Sequence, residues 1–174
     1  LFNSSFRDSE LIHAILNEIH TVAAYDLAIV MTKHVNKPGY LKISDFLSNV
    51  PSNLAVDCSY SYLDSMIEKV FKQENPLIVE DSGNLTSSLD QIIFQEHGCK
   101  SCLLAPLKMD GSITGILALA SKKSGLFNEV QELLKWIANG LSLVLERNRL
   151  SAAVVRRNQE LDTIRQIGSA LASS

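Results

Sequence analysis

Long apolar runs are missing from these 174 residues. No stretch reaches the roughly 20 residues that a membrane-spanning helix needs, and no basic-then-apolar leader opens the chain. A cytoplasmic location is therefore expected. Cysteine is scarce: there are three, an odd number in a chain too long to need disulfide staples, so reduced cytosolic thiols are expected. Positive charge is not in excess either. Sixteen Lys and Arg stand against 19 Asp and Glu, for a net charge of −3, which argues against nucleic-acid contact by this chain. No His-Glu-x-x-His, Walker loop or Gly-x-Gly-x-x-Gly is present, so no catalytic residue and no metal site is assigned. No internal repeat or low-complexity segment appears.

What the chain has is enough apolar content, 46%, for a sizeable core, in one large domain or one domain with an extension. Ser5 or Ser9 is expected to cap a first helix, along which Leu11, Ile12, Ile15, Leu16 and Ile19 form an apolar stripe. Leu27 to Thr32 reads as a strand, Lys37-Pro38-Gly39 as a turn, and Tyr40 to Leu47 as its hairpin partner. Polar residues 49–61 read as loop. Tyr62 to Gln73 carries Leu63, Met66, Ile67 and Val70 at helical spacing, and Asn75-Pro76 ends it. Leu77 to Glu80 is a short strand, Asp81 to Thr86 a loop, and Ser87 to Glu96 a short helix that Gly98 breaks.

The densest information lies between Cys99 and Leu150. Ser101 to Leu107 is short and apolar, as a buried strand is. Asp110-Gly111 is a type I′ turn signal, because both central residues need positive φ. Ile113 to Ala120 is the return strand. Pro106 belongs at a bulge or with its nitrogen turned outward, and Gly115 marks a close approach of another chain segment. Asn128 is expected to cap the next helix, with Gln131 completing a capping box. Leu133, Leu134, Ile137, Leu141, Val144 and Leu145 give that helix an apolar stripe.

Leu104-Ala105-Pro106-Leu107, Gly111, Gly115-Ile116-Leu117 and Phe127 ahead of a helix resemble the second half of a GAF domain. The resemblance extends over about residues 6 to 147. It implies an α+β fold, GAF/profilin-like, with a central antiparallel sheet, helices on both faces and a long C-terminal signalling helix. It divides the chain into a sensory domain, 1–147, and a coiled-coil helix or the start of a next domain, 148–174. It also implies a regulatory role in a signal-transduction protein such as a two-component sensor. The family's ligand pocket lies between the sheet and the variable middle. Tyr60, Tyr62, Glu80, Asp81 and His97 are its polar candidates here, and Cys102 and Ala118 its floor. A filled core with no pocket is the alternative. Bilin-binding relatives attach chromophore through Cys followed by His; Cys58, Cys99 and Cys102 precede Ser59, Lys100 and Leu103, so a bilin is not expected. The cyclic-nucleotide signature is matched in part, by Ser121-Lys122, Phe127 and Gln131-Glu132. The ligand stays unnamed.

Cys99 and Cys102 form a Cys-x-x-Cys entering a strand, and with Cys58 and His97 would make four zinc ligands. The alternative is one small core residue and one incidental cysteine. Some proteins of this fold reduce free methionine sulfoxide with thiols, which gives an enzymatic alternative. His13 and His20 share one side of the first helix and read as a solvated or interface face. No Gly or Pro interrupts residues 141 to 167. Positions 147, 150, 154, 157, 161, 164, 168 and 171 follow the spacing of a coiled-coil seam. Leu141, Leu145, Leu150, Val154, Leu161 and Ile164 are the expected dimer and relay residues. A parallel homodimer through the terminal helices, a small-molecule ligand and a downstream effector domain are the expected partners.

Overall fold

The structure, a computed structural model, describes residues 2–80 and 85–173, with side chains described from Ser9 onward. Its elements are α1 (Phe2–Val22), β1 (Leu27–Lys33), β2 (Tyr40–Ser48), β3 (Ser59–Ser61), α2 (Met66–Gln73), β4 (Leu77–Val79), α3 (Ser88–Asp90) widening into a π-helical turn (Gln91–Gln95), β5 (Ser101–Met109), β6 (Ser112–Ser121) and α4 (Gln131–Ala172). The strands form one sheet in the order β3-β2-β1-β6-β5-β4, antiparallel at every pairing. This is the architecture expected from the sequence.

Both faces of the sheet are covered, which is why its central strands read as nearly unbroken apolar runs. Leu27, Ile29 and Met31 of β1 and Ile116, Ala118 and Ala120 of β6 face α2 and α3. The alternate residues Ala28, Val30, Leu117 and Leu119 face α1 and α4 with Leu16, Ile19, Leu134 and Leu141. The β5–β6 turn has the expected geometry, with φ of 49° at Asp110 and 77° at Gly111. Pro106 lies beyond the part of β5 that β4 pairs, Cys102 to Leu104, and one residue before a register shift at Leu107/Lys108. A Cβ on Gly115 would sit 2.2 Å from the Met31 carbonyl oxygen, so glycine lets β1 and β6 meet.

Several local expectations are corrected. Ser9 does not cap α1; it lies inside the helix and donates to the Asp45 carboxylate at 2.8 Å. Ser5 also lies inside α1. Asn128 does not cap α4, which starts at Gln131 after Val130 with no side-chain cap. The Asn128 amide instead turns back toward Glu80. The helix expected from Tyr62 starts at Met66, because Asp64 takes positive φ (58°) and Ser65 caps, accepting from the Glu68 N–H. Residues 59–61 of the expected loop pair with β2. His13 and His20 are partly exposed, as a solvated face would be, and are also bonded to the sheet side: His13 Nε2 meets Asp45 at 2.8 Å, and His20 meets the Asn49 amide and the Tyr25 ring.

A bulge opposite Val30/Met31 pairs Val30 with Asp45 and Met31 with Ile43, leaving Ser44 as the extra residue. Bulges re-aim side chains, and here the buried Asp45 carboxylate points at α1. It accepts from Ser9, from the Phe46 N–H and from His13. α1 is thus tied to the sheet by a polar cluster as well as by packing. α4 runs unbroken for 42 residues, through the 147/148 division, and residues 149–173 are exposed throughout.

Candidate functional site

The face of the sheet under α2 and α3 gathers most of the expected site residues. Cys102 and Ala118 form its floor, with Tyr60 and Tyr62 packed against the same core. Tyr62 stacks on Phe71 with centroids 4.6 Å apart. His97 closes the group. Its Nδ1 lies 2.7 Å from the Ile92 carbonyl oxygen, which only accepts, so the proton is assigned to Nδ1. Nε2 then accepts from the Ser52 hydroxyl at 2.8 Å. Burial, with the Cys58 and Glu96 charges, raises the Tyr60 phenol above its ordinary value.

Glu80 does not join them. It accepts from the Gly125 N–H at 2.9 Å and faces the Asn128 amide, so it fastens the end of β4 to the β6–α4 connection. Asp81 lies outside the described residues. The relay residues also divide. Leu141 is fully buried and Leu145 packs into the same α1/α4 core, whereas Leu150, Val154, Leu161 and Ile164 lie on the exposed part of α4.

Asp90 and Ser52 were not singled out from the sequence. Asp90 is buried, and its two carboxylate oxygens accept from the Met66 N–H at 3.1 and 3.2 Å, holding the first turn of α2. Burial raises its pKa, against the Met66 hydrogen bond and the attraction of Lys69. The signal available was a carboxylate inside the apolar run Leu89 to Phe94. Asp90, His97 and Ser52 on this face are each hydrogen-bonded within the protein, to the Met66 N–H, the Ile92 carbonyl and one another. Cys102 and Ala118 are at most 1% exposed, so the floor is covered by the side chains above it.

The thiols are set for packing. Burial pushes the Cys99 thiol up to about 11, helped by Asp26 and opposed by Lys122. Cys102 is raised well above its ordinary value, first by burial. Both stay protonated at neutral pH, the reverse of an activated thiolate, while Cys58 is exposed. Among the described residues, no three His, Cys, Asp or Glu side chains gather as a metal site requires. The partial cyclic-nucleotide signature is spread over other contacts. Phe127 is buried in the α1/α4 core, and the Ser121 hydroxyl and the Lys122 N–H both bind Asp26.

Two concave regions lie on the α1/α4 side. One, of about 870 Å³, runs between the β1–β2 connection and the exit of α4, past Lys33, Lys42, Thr114, Glu146 and Arg149. Its cations are engaged: Lys42 with Asp57, Arg149 with Glu146, and Lys33 over the Phe71 ring. The other, of about 380 Å³, is an apolar groove between α1 and α4 lined by Ala14, Ile15, Glu18, Ile137, Gly140 and Leu141.

A six-stranded antiparallel sheet with two helices on each face and a helical exit from one of them defines an α+β module. The chain belongs to the GAF domain family, whose model matches residues 9–145. Comparison with curated proteins gives no match. Solved structures with the same fold include the GAF domain of a two-component sensor histidine kinase from Bacillus halodurans, at 14% identity and TM-score 0.69, covering 82% of this chain and 96% of that one. A GAF domain/HD domain protein from Geobacter sulfurreducens aligns at 12% identity and TM-score 0.66, over 82% and 94% of the two chains. The type II free methionine-R-sulfoxide reductase from Thermoplasma acidophilum aligns at 14% identity and TM-score 0.66, over 83% and 96%. At these identities the likeness is one of fold, and function rests on the site. GAF domains typically serve as sensory or regulatory domains of multidomain signalling proteins. Among the described residues, no helix is long and apolar enough to cross a membrane.

Proposed function

We propose that this chain is the small-molecule-sensing and dimerisation domain of a cytosolic signal-transduction protein. Residues 1–147 form the sensor, and 148–174 form the helix that carries its state to an effector domain. The observation that carries this reading is the continuity of α4. Its first turns pack on the sheet through Leu134, Ala138 and Leu141, and the same helix then leaves the domain with residues 149–173 exposed. The ligand site is the α2/α3 face, with Tyr60, Tyr62 and His97 as its polar wall and Cys102 and Ala118 as its floor. A ligand shifts the helix pair only by the difference between its affinities for the two states. Asp90 supports such coupling: it joins α3 to the start of α2, so a ligand that parts these elements disturbs a buried hydrogen bond.

Native mass spectrometry of the chain purified from cytosol tests the reading. A dimer carrying a reproducible small mass, lost on Tyr60→Ala with His97→Ala, is the expected result. A dimer with no adduct would leave a ligand-free relay module, and a monomer at every concentration would remove the helical relay.

A further inference from the structure

We propose that Trp136 of one copy seats in the apolar groove between α1 and α4 of a second copy, beside Gly140, within a parallel, in-register pairing of α4 that begins inside the domain at Leu133. This rests on the homodimer reading above and names its contact.

The seam spacing of the tail, carried backward from Arg147, falls on Leu143, Gly140, Trp136 and Leu133. The large side chains at those positions are all exposed: Leu133 47%, Trp136 80% and Leu143 68%. Their neighbours Leu134, Ala138 and Leu141 are buried against the sheet. The stripe continues through Leu150, Val154, Leu161 and Ile164, each at least 47% exposed, with Arg147 and Arg157 at the intervening seam positions. A helix apolar along two faces has two neighbours. The sheet is one, and a seam with heptad spacing selects a helix of the same period as the other.

One flanking charge pair fits a second copy lying parallel, while Arg147 and Arg157, which the same register sets opposite their own copies, loosen the seam at those two levels. In a parallel pair, a residue flanking the seam faces the residue five positions further along the partner. Glu160 and Arg165 occupy such positions and carry opposite charge, with Glu160 also meeting Arg156 of its own helix at 3.2 Å. An antiparallel pair would instead set like flanking positions against each other.

The knob and its hole match. In a parallel pair the side chain at 136 enters the space bounded by 133, 136, 137 and 140 of the partner. Gly140 contributes no side chain there, and a Cβ built on it meets nothing within 4 Å. Ile137 and Gly140 also line the groove of about 380 Å³ against α1, so the hole opens into an apolar trough. Glu18 on the same groove supplies an acceptor for the indole N–H, which seeks one when buried. A glycine inside a helix is unfavourable without a packing reason, and this contact is one. The groove's far wall is α1, which Asp45 ties to β2. β2 in turn places Leu41 and Ile43 in the ligand-face core.

Trp136 is the single tryptophan of the chain, so its emission reads the contact directly. Sedimentation and fluorescence are followed together across protein concentration. The expected result is a shift to the blue that tracks dimer formation. Gly140→Leu fills space that is empty in the protomer. It should keep the circular dichroism of the fold, hold the emission in the red and raise the dimer Kd by about tenfold or more, as loss of a hot-spot contact does. Trp136→Ala should weaken the dimer similarly. In a Cys58→Ser background, Leu161→Cys should form a symmetric disulfide and the outward Val155→Cys should not. A dimer whose Trp136 emission never shifts, and which Gly140→Leu leaves unchanged, would overturn this contact while leaving the homodimer. A chain monomeric at every concentration would overturn both.

Discussion

Replacing Gly115 by alanine places one methyl group where two central strands touch. The added Cβ would stand 2.2 Å from the Met31 carbonyl oxygen, 3.2 Å from its carbon and 3.2 Å from the Thr32 Cα. The first distance is more than 1 Å short of an ordinary contact of about 3.5 Å. All three atoms are backbone, so no rotamer relieves the clash. β1 and β6 must separate where Thr32 pairs with Gly115 and Met31 with Ile116, in the middle of a six-stranded sheet. Overpacking costs about 1–3 kcal/mol, and one weakened ladder hydrogen bond adds about 1 kcal/mol. The sum is about 3 kcal/mol. With a urea m-value of about 2 kcal/mol/M, the midpoint falls by about 1.5 M at unchanged m. Far-UV circular dichroism at fixed, low protomer concentration measures it, since association would otherwise contribute. Gly140→Ala is the contrast. Its Cβ meets nothing and α4 gains a better helix former, so the midpoint should rise, by about 0.5–1 kcal/mol in stability. A Gly115→Ala midpoint within about 0.3 M of wild type, the scale of an ordinary surface change, would refute the close approach.

Two further outcomes are expected. Asp90 has its folded-state pKa raised by burial from an ordinary 3.8, so the fold favours its protonated form. That contribution to stability is fully present below the ordinary value and is lost as pH rises through the folded one. Asp90→Asn stays neutral and keeps an acceptor for the Met66 N–H. Its stability relative to wild type should therefore increase between pH 4 and pH 7, and urea midpoints that differ equally at both values would contradict this. Disulfide-exchange labelling at neutral pH should modify Cys58 quickly and reach Cys99 and Cys102 only on unfolding, because burial covers them and raises both thiols; three equal rates would show that this core opens readily.

Much of this protein is determined by its sequence alone, because the deciding physics is local or periodic. Asp110-Gly111 requires a turn with positive φ whatever surrounds it. Glycine at 115 announces a near backbone, and the apolar strands announce a sheet covered on both faces. The unbroken helix through Leu150, Val154, Leu161 and Ile164 follows from the lack of Gly and Pro between residues 141 and 167. Tertiary structure decided which polar groups keep company. Ser9 and Asn128 both satisfy local capping rules, yet distant carboxylates recruited them, Asp45 for Ser9 and Glu80 for Asn128. Glu80 and His97 look alike as polar residues of the variable middle. The β4 edge turns one toward the β6–α4 connection, and the turn after α3 buries the other against Ser52, 45 residues earlier. Asp90 meets Met66 across 24 residues. Leu141 and Leu143 are near neighbours on α4, one buried beneath the helix and one 68% exposed above it. A turn or a helix period is set by residues in contact along the chain, whereas a buried carboxylate or an open groove is set by partners that only folding brings together.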